Sequence, residues 1–275
     1  MTERATGPAR QVTERDGRIL GFIAEHRIVL VAHVQALLEV SDTVAYRRLR
    51  ALATGGLLSH EQVLHRQPGW YQITRTGLGM IGSDLPPPRR DLSCYRHDIG
   101  VAWVWLAGSR GAFGDVERTV SEREMRSRDG ARLAAGGGAG GAAAGDGPPF
   151  GVPLGGVGPR GRPRLHYPDL LLVGPGGERV AVELELSAKS GRRLETIIAG
   201  YGAEPGIAAV LYLTDKPGIA REVRSAAARL GISDLVRVRA VAWPAAAAAP
   251  QARERERARA RGGAHRGDER GALAR

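Results

Sequence analysis

Two hydrophobic periodicities divide this chain. From Asp16 onward, apolar residues return at helical intervals. Ile19, Leu20 and Ile23 share one face of a first helix ending near His26, and Val34, Leu37 and Leu38 point inward from a second over residues 31–40. Ser41 and Asp42 are N-cap residues for a third helix through Leu52, whose Ala45, Leu49 and Leu52 fall at i, i+4 and i+7. The opposite side of that helix carries Thr43, Tyr46, Arg47 and Arg50. Gly55-Gly56 stops it. After Leu57-Leu58 the pattern predicts a hairpin, with strands at residues 62–64 and 70–73 around a Gln67-Pro68-Gly69 turn, and Thr74 to Gly77 open a further short helix. The proline-rich stretch 84–91 reads as a linker. A helix over residues 92–106 follows, with Tyr95, Ile99, Trp103 and Leu106 inward. Val101, Val104 and Trp105 make it apolar on more than one face, which suits a place between domains or in self-association.

Beyond it the period shortens to two. A strand is predicted at residues 116–120, then a capped helical turn from Ser121 to Arg126. Residues 131–164 are rich in Gly, Ala and Pro and read as a flexible insertion without structure of its own. Leu170 to Val173 form an apolar run, Gly174-Pro175-Gly176-Gly177 supplies a turn, and the strand from Arg179 to Ser187 alternates strictly. Val180, Val182, Leu184 and Leu186 lie on one face, Glu183 and Glu185 on the other. A helix over 192–201, a strand over 207–213, a helix from Pro217 to Leu230 ended by Gly231, and a strand over 235–241 complete the series. The expected fold class is therefore α/β in two domains, residues 14–83 and 92–243. The first 13 residues form a frayed arm, and residues 244–275 a disordered basic tail.

Charge adds a partner class. The 275 residues hold 40 Lys+Arg against 29 Asp+Glu, a formal +11, and Lys189 and Lys216 are the only lysines. Arginine suits bidentate phosphate contacts, so a polyanionic partner is the expectation. Cys94 is the only cysteine, which excludes a disulfide framework and cysteine-based zinc sites. No segment has the apolar length to span a membrane and no signal-peptide core opens the chain; no membrane partner and a cytoplasmic location are expected.

Candidate chemistry centres on Asp169, Glu183 and Glu185. Hairpin pairing would bring the Asp169 carboxylate near the two glutamates, and three carboxylates at one sheet end make a hard-oxygen site of the sort Mg²⁺ prefers. Here the chain resembles the PD-(D/E)xK nuclease-like superfamily: Pro168-Asp169 fits its first element and Glu183-Leu184-Glu185 an ExE variant of its second, with Glu185 at the usual lysine position. The resemblance implies that Asp169, Glu183 and Glu185 ligate Mg²⁺, with Lys189 stabilising phosphorus-borne charge and Glu122 completing the cluster. His97, a lone helical histidine, reads as structural.

Residues 46–58 (YRRLRALATGGLL) and 68–77 (PGWYQITRTG) resemble winged helix-turn-helix regulators. That likeness implies that Thr43, Tyr46, Arg47 and Arg50 meet the major groove of double-stranded DNA, while Arg66 and Arg75 meet backbone or minor groove. Over nearly its whole length the chain resembles the plasmid replication-relaxation family, which implies a DNA-directed role in replication, relaxation or maintenance of a mobile element. Two alternatives stand beside it. One is a Mg²⁺-dependent DNA endonuclease of the ExE type. The other is a winged-helix transcriptional regulator with a non-catalytic α/β domain, a homodimer pairing two recognition helices on a palindromic site.

Overall fold

A computed structural model describes residues 12–63, 65, 67–89, 91–134, 148–158 and 161–242. The terminal arm (but for residues 12 and 13), the basic tail and Arg66 lie outside these residues. The fold is mixed α/β.

Helix α1 (Glu14–Glu25) starts at a reciprocal cap: Thr13 Oγ1 accepts from Asp16 N, and the Asp16 carboxylate accepts from Thr13 N. Its Ile19, Leu20 and Ile23 are fully buried against α2 (Val31–Leu38) and α3 (Asp42–Thr54). On α3 the buried residues are Ala45, Leu49 and Leu52, the stripe that the sequence pattern marks. Two antiparallel strands follow, β1 (Leu58–Glu61) and β2 (Trp70–Ile73). The first strand lies earlier than the hydrophobic pattern suggests. Leu57 and Leu58 belong to the core, so burial draws pairing back to Leu58 opposite Ile73. Val29 bridges to Tyr71, which ties the turn after α1 to the hairpin.

Helix α4 (Arg75–Met80) is tied to the α3–β1 connection through Thr74, whose hydroxyl accepts from Gly77 N at 3.0 Å and donates to Gly56 O at 2.7 Å. A Cβ on Gly77 would stand 2.2 Å from Leu57 O, a contact no rotamer relieves. Gly77→Ala should therefore cost about 1–3 kcal/mol through forced backbone movement. Urea unfolding followed by circular dichroism reads this as a lower midpoint at unchanged slope.

After a 3₁₀ turn at Leu92–Cys94, α5 (Tyr95–Gly108) runs between the two halves. Ala102 and Leu106 pack with α1–α3, Tyr95 and Ile99 pack with Ile28, Leu30 and Trp70, and Val104 faces the large sheet. Burial within one chain thus accounts for its apolar girth.

The second half comprises β3 (Arg118–Ser121), α6 (Glu122–Ala134), β4 (Val152–Val157), β5 (Pro163–His166), β6 (Leu170–Val173), β7 (Arg179–Leu184), α7 (Gly191–Gly202), β8 (Ala209–Thr214), α8 (Pro217–Arg229) and β9 (Val236–Ala240). Five strands make the main sheet in the order β3-β6-β7-β8-β9, antiparallel through β7 and parallel from β7 to β9. The parallel pairs require crossovers, which α7 and α8 supply. Both helices cover the face bearing Leu171, Ala181, Val210 and Tyr212, while α5 covers Leu170, Leu172, Val182 and Leu184.

The insertion over residues 131–164 departs from its sequence reading. Helix α6 extends to Ala134, and β4 pairs with β5 from Val152 opposite His166. Val152 is fully buried in the main core, and the Asp129 carboxylate accepts from Phe150 N and Gly151 N, both at 3.0 Å. Few large apolar residues are needed because glycine lets backbones approach: a Cβ on Gly200 of α7 would stand 2.7 Å from Pro153 O. Residues 135–147 lie outside the description. No helix among the described residues is long and apolar enough to cross a membrane.

Candidate functional site

Two surfaces carry the candidate residues. The first is the outer side of α3, where Thr43, Tyr46, Arg47 and Arg50 are all exposed, Tyr46 to 44 %. Arg48, between them in sequence, turns the other way and its guanidinium pairs with Asp16. Packing thus separates a structural arginine from two that face solvent. Arg75 is exposed at the start of α4, next to the Thr74 contact with the end of α3. The Tyr71 hydroxyl is pushed up by burial and then by the neighbouring Tyr46, with Arg50 opposing, which puts the hairpin beside this face.

The second surface is the acidic end of the main sheet. Leu170 pairs with Val182, so Asp169 and Glu183 sit one rung further along, and alternation puts Glu185 on the same face. These carboxylates are interior groups: Glu183 and Glu185 are 3 % and 4 % exposed. Burying a carboxylate is unfavourable without partners, and each has its own. Asp169 Oδ2 accepts from Leu184 N at 2.7 Å and lies 3.1 Å from His97 Nε2. Burial disfavours the His97 cation, yet Asp169, with Asp98 behind it, outweighs burial and pushes the imidazole up to about 11. Burial raises and His97 lowers the Asp169 carboxyl, and the net direction is down. Glu183 Oε1 accepts from the Tyr201 hydroxyl and lies 2.5 Å from His166 Nε2. Glu185 pairs with Lys189 across one helical-type spacing. Burial, then Glu183, pushes both the Tyr201 and Tyr212 hydroxyls well above their usual range, so both stay protonated; the Tyr212 hydroxyl has no hydrogen-bond partner among the described residues.

Glu122, at the start of α6, joins this end through its backbone, its N donating to Asp169 O at 3.2 Å. Its side chain instead meets Arg27 Nη2 at 2.7 Å and Arg126 Nε at 2.8 Å. Glu122 and Asp169 line one small cavity of about 20 Å³ with Arg27, His97 and Asp98, room for roughly one water.

The donor chemistry of Asp169, Glu183, Glu185 and Glu122 suits a hard divalent cation. The arrangement does not gather them, because each carboxylate is turned to a protein partner. Among the described residues no three His, Cys, Asp or Glu side chains are grouped to hold one ion. Lys189, expected to stabilise charge on a phosphorus, instead neutralises Glu185, and His97, expected to be a structural residue outside the site, is the partner of Asp169. It also omits His166, Tyr201 and Arg27. His166, three residues before Asp169, carried a proximity signal; Arg27 carried none.

No family model matches the chain. No curated protein matches it. Among solved structures, PigF with SAH is similar over 82 % of this chain and 56 % of that one, at 16 % identity and a TM-score of 0.19. The chain spans little more than half the length of that protein, and a likeness at this TM-score carries no argument about fold or function.

Proposed function

We propose that this chain is a DNA-binding protein of a plasmid or other mobile element, acting in its replication, relaxation or maintenance. In this reading residues 14–83 are a winged helix-turn-helix, α3 enters the major groove, and the β1–β2 hairpin is the wing. Residues 92–243 are a nuclease-like α/β unit, as in the replication-relaxation family that the sequence resembles. The observation that carries the reading is the sorting of α3: Thr43, Tyr46, Arg47 and Arg50 face solvent while Arg48 is paired inward. Two guanidiniums that form no ion pair among the described residues, a phenol and a hydroxyl on one exposed side supply the groups with which a helix contacts bases and phosphates.

The test is equilibrium binding to fluorescent duplex DNA. Arg47→Ala combined with Arg50→Ala should weaken binding by on the order of 10–100-fold, since two charged contacts are lost. Unchanged affinity in a variant that still folds would remove α3 from the interface. A second reading, a metal-dependent endonuclease of the ExE type, draws on Asp169, Glu183 and Glu185 sharing one sheet face. It requires nicking of supercoiled plasmid with Mg²⁺ or Mn²⁺ that Asp169→Asn abolishes.

A further inference from the structure

A groove of about 610 Å³ opens where α1, α2 and the end of α5 meet. That is the size of a pocket for one small molecule. No lining residue comes from α3 or from the main sheet. The walls are apolar: Ala36, Leu37 and Trp105 are half-buried, beside buried Phe22 and Leu106. Trp105 keeps its Nε1 buried, with no hydrogen-bond partner among the described residues, so the part of the indole left to the groove is carbon. Phe22 meets that ring edge-on at 5.3 Å and fixes its tilt. Gly21 widens the opening. It lies in the middle of α1 without a positive φ, and a Cβ there would meet nothing within 4 Å. Glycine weakens a helix relative to alanine, and no packing contact requires it at this position.

Two guanidiniums share one end of the groove. Arg18 Nη2 donates to Leu37 O at 3.3 Å, and Arg110 Nη2 donates to Ala36 O at 2.5 Å. The two carbonyls belong to neighbouring residues at the end of α2, which brings both cations to that end. Each guanidinium spends one N–H there and keeps the rest of its donor fork for an anion. Arg18 forms no ion pair among the described residues, and the pair of Arg110 with Glu39, at 3.9 Å, is solvent-exposed on both sides and weak. Glu25 lines the groove two helical turns further along α1, about 10 Å from Arg18, and already accepts from the Ser121 hydroxyl. The groove is thus apolar along its length and cationic at one end. We propose that it binds a flat apolar molecule of about two fused rings carrying one anionic group, its rings against Leu37 and Trp105 and its anion held by Arg18 and Arg110.

The experiment uses the full chain and naphthalene-2-carboxylate at neutral pH, followed by calorimetry and saturation-transfer NMR, with the neutral naphthalene-2-carboxamide as its uncharged counterpart. The parent should bind the carboxylate with a Kd on the order of 100 µM and the amide about tenfold more weakly. Arg18→Ala with Arg110→Ala should weaken the carboxylate by about tenfold and leave the amide unchanged. Gly21→Leu, which fills the open space above α1, should abolish binding of both. Where leucine disturbs the fold, the exposed arginine pair still decides. A parent that binds neither compound overturns the proposal, as does a carboxylate bound no more tightly than the amide. Full affinity in folded Gly21→Leu also overturns it, because the ligand then sits elsewhere. Sedimentation on the same samples covers a second copy of the chain: a dimeric parent that Gly21→Leu turns into a monomer would give the groove to that copy and overturn the small-ligand site.

Discussion

Asp169→Ala should lower the stability of the folded protein by about 3 kcal/mol, the low end of what breaking a buried pair costs. Two groups lose their partner at once. His97, 31 % exposed at its side chain, would hold a charge with only Asp98 nearby, and Leu184 N would lose its 2.7 Å acceptor beneath the sheet end. The exposure of His97 keeps the expected loss at the lower end, since water reaches part of the ring. Urea unfolding at neutral pH measures it directly, with Asp169→Asn expected to lose less because it keeps an oxygen for Leu184 N. A loss below about 1 kcal/mol for Asp169→Ala would mean that the pair does not hold this junction. The same number governs any cleavage assay: activity lost in Asp169→Ala reports chemistry only where the variant is shown to be folded.

Acid should unfold the N-terminal half early. His26 and His33 are buried, with His33 fully enclosed, and burial lowers both imidazoles to about 3. His33 lies against Trp103 at a ring distance of 4.6 Å, and His26 against Phe22 at 4.5 Å. In the unfolded chain both rings take up protons below about pH 6.5, whereas the folded chain refuses them until about pH 3. Stability from this source is full above pH 6.5 and is lost as pH falls toward 3. At pH 5 the loss is about 2 kcal/mol for each ring, so roughly 4 kcal/mol together. His97 acts in the opposite sense, but its contribution is already complete below pH 6.5 and cannot offset a fall between pH 6 and 5. Urea midpoints from pH 7.5 to 5 should therefore drop steeply. His33→Gln, which keeps an acceptor for Leu30 N, should make the drop shallower. Midpoints that stay flat over this range would contradict the burial of neutral rings.

Helices and their faces were legible because a 3.6-residue period survives any tertiary context: Ile19, Leu20 and Ile23 on α1, and Ala45, Leu49 and Leu52 on α3, are buried as patterned. The alternation of β7 was legible for the same reason, and it also placed Glu183 and Glu185 on one face. Strand β1 was displaced because a four-residue strand offers too few positions to distinguish register, and burial of Leu57 and Leu58 decides it. Strand β4 was hidden by its glycines, whose value in close packing leaves no hydrophobic signature, and β5 by offering a single large apolar residue, Leu165. The acidic residues could be found by their spacing, but not what they touch. His97 reaches Asp169 across 72 residues and Arg27 reaches Glu122 across 95, and local pattern carries no information at such separations.

The central claim is that α3 meets nucleic acid through Arg47 and Arg50. Duplex affinity of the parent and of the Arg47→Ala, Arg50→Ala variant, measured between about 50 and 200 mM salt, tests it most directly. The account predicts a steep fall in parent affinity with salt and a log–log slope shallower by about 1–2 in the variant, as expected when up to two phosphate contacts disappear. Identical affinities and identical slopes would contradict it.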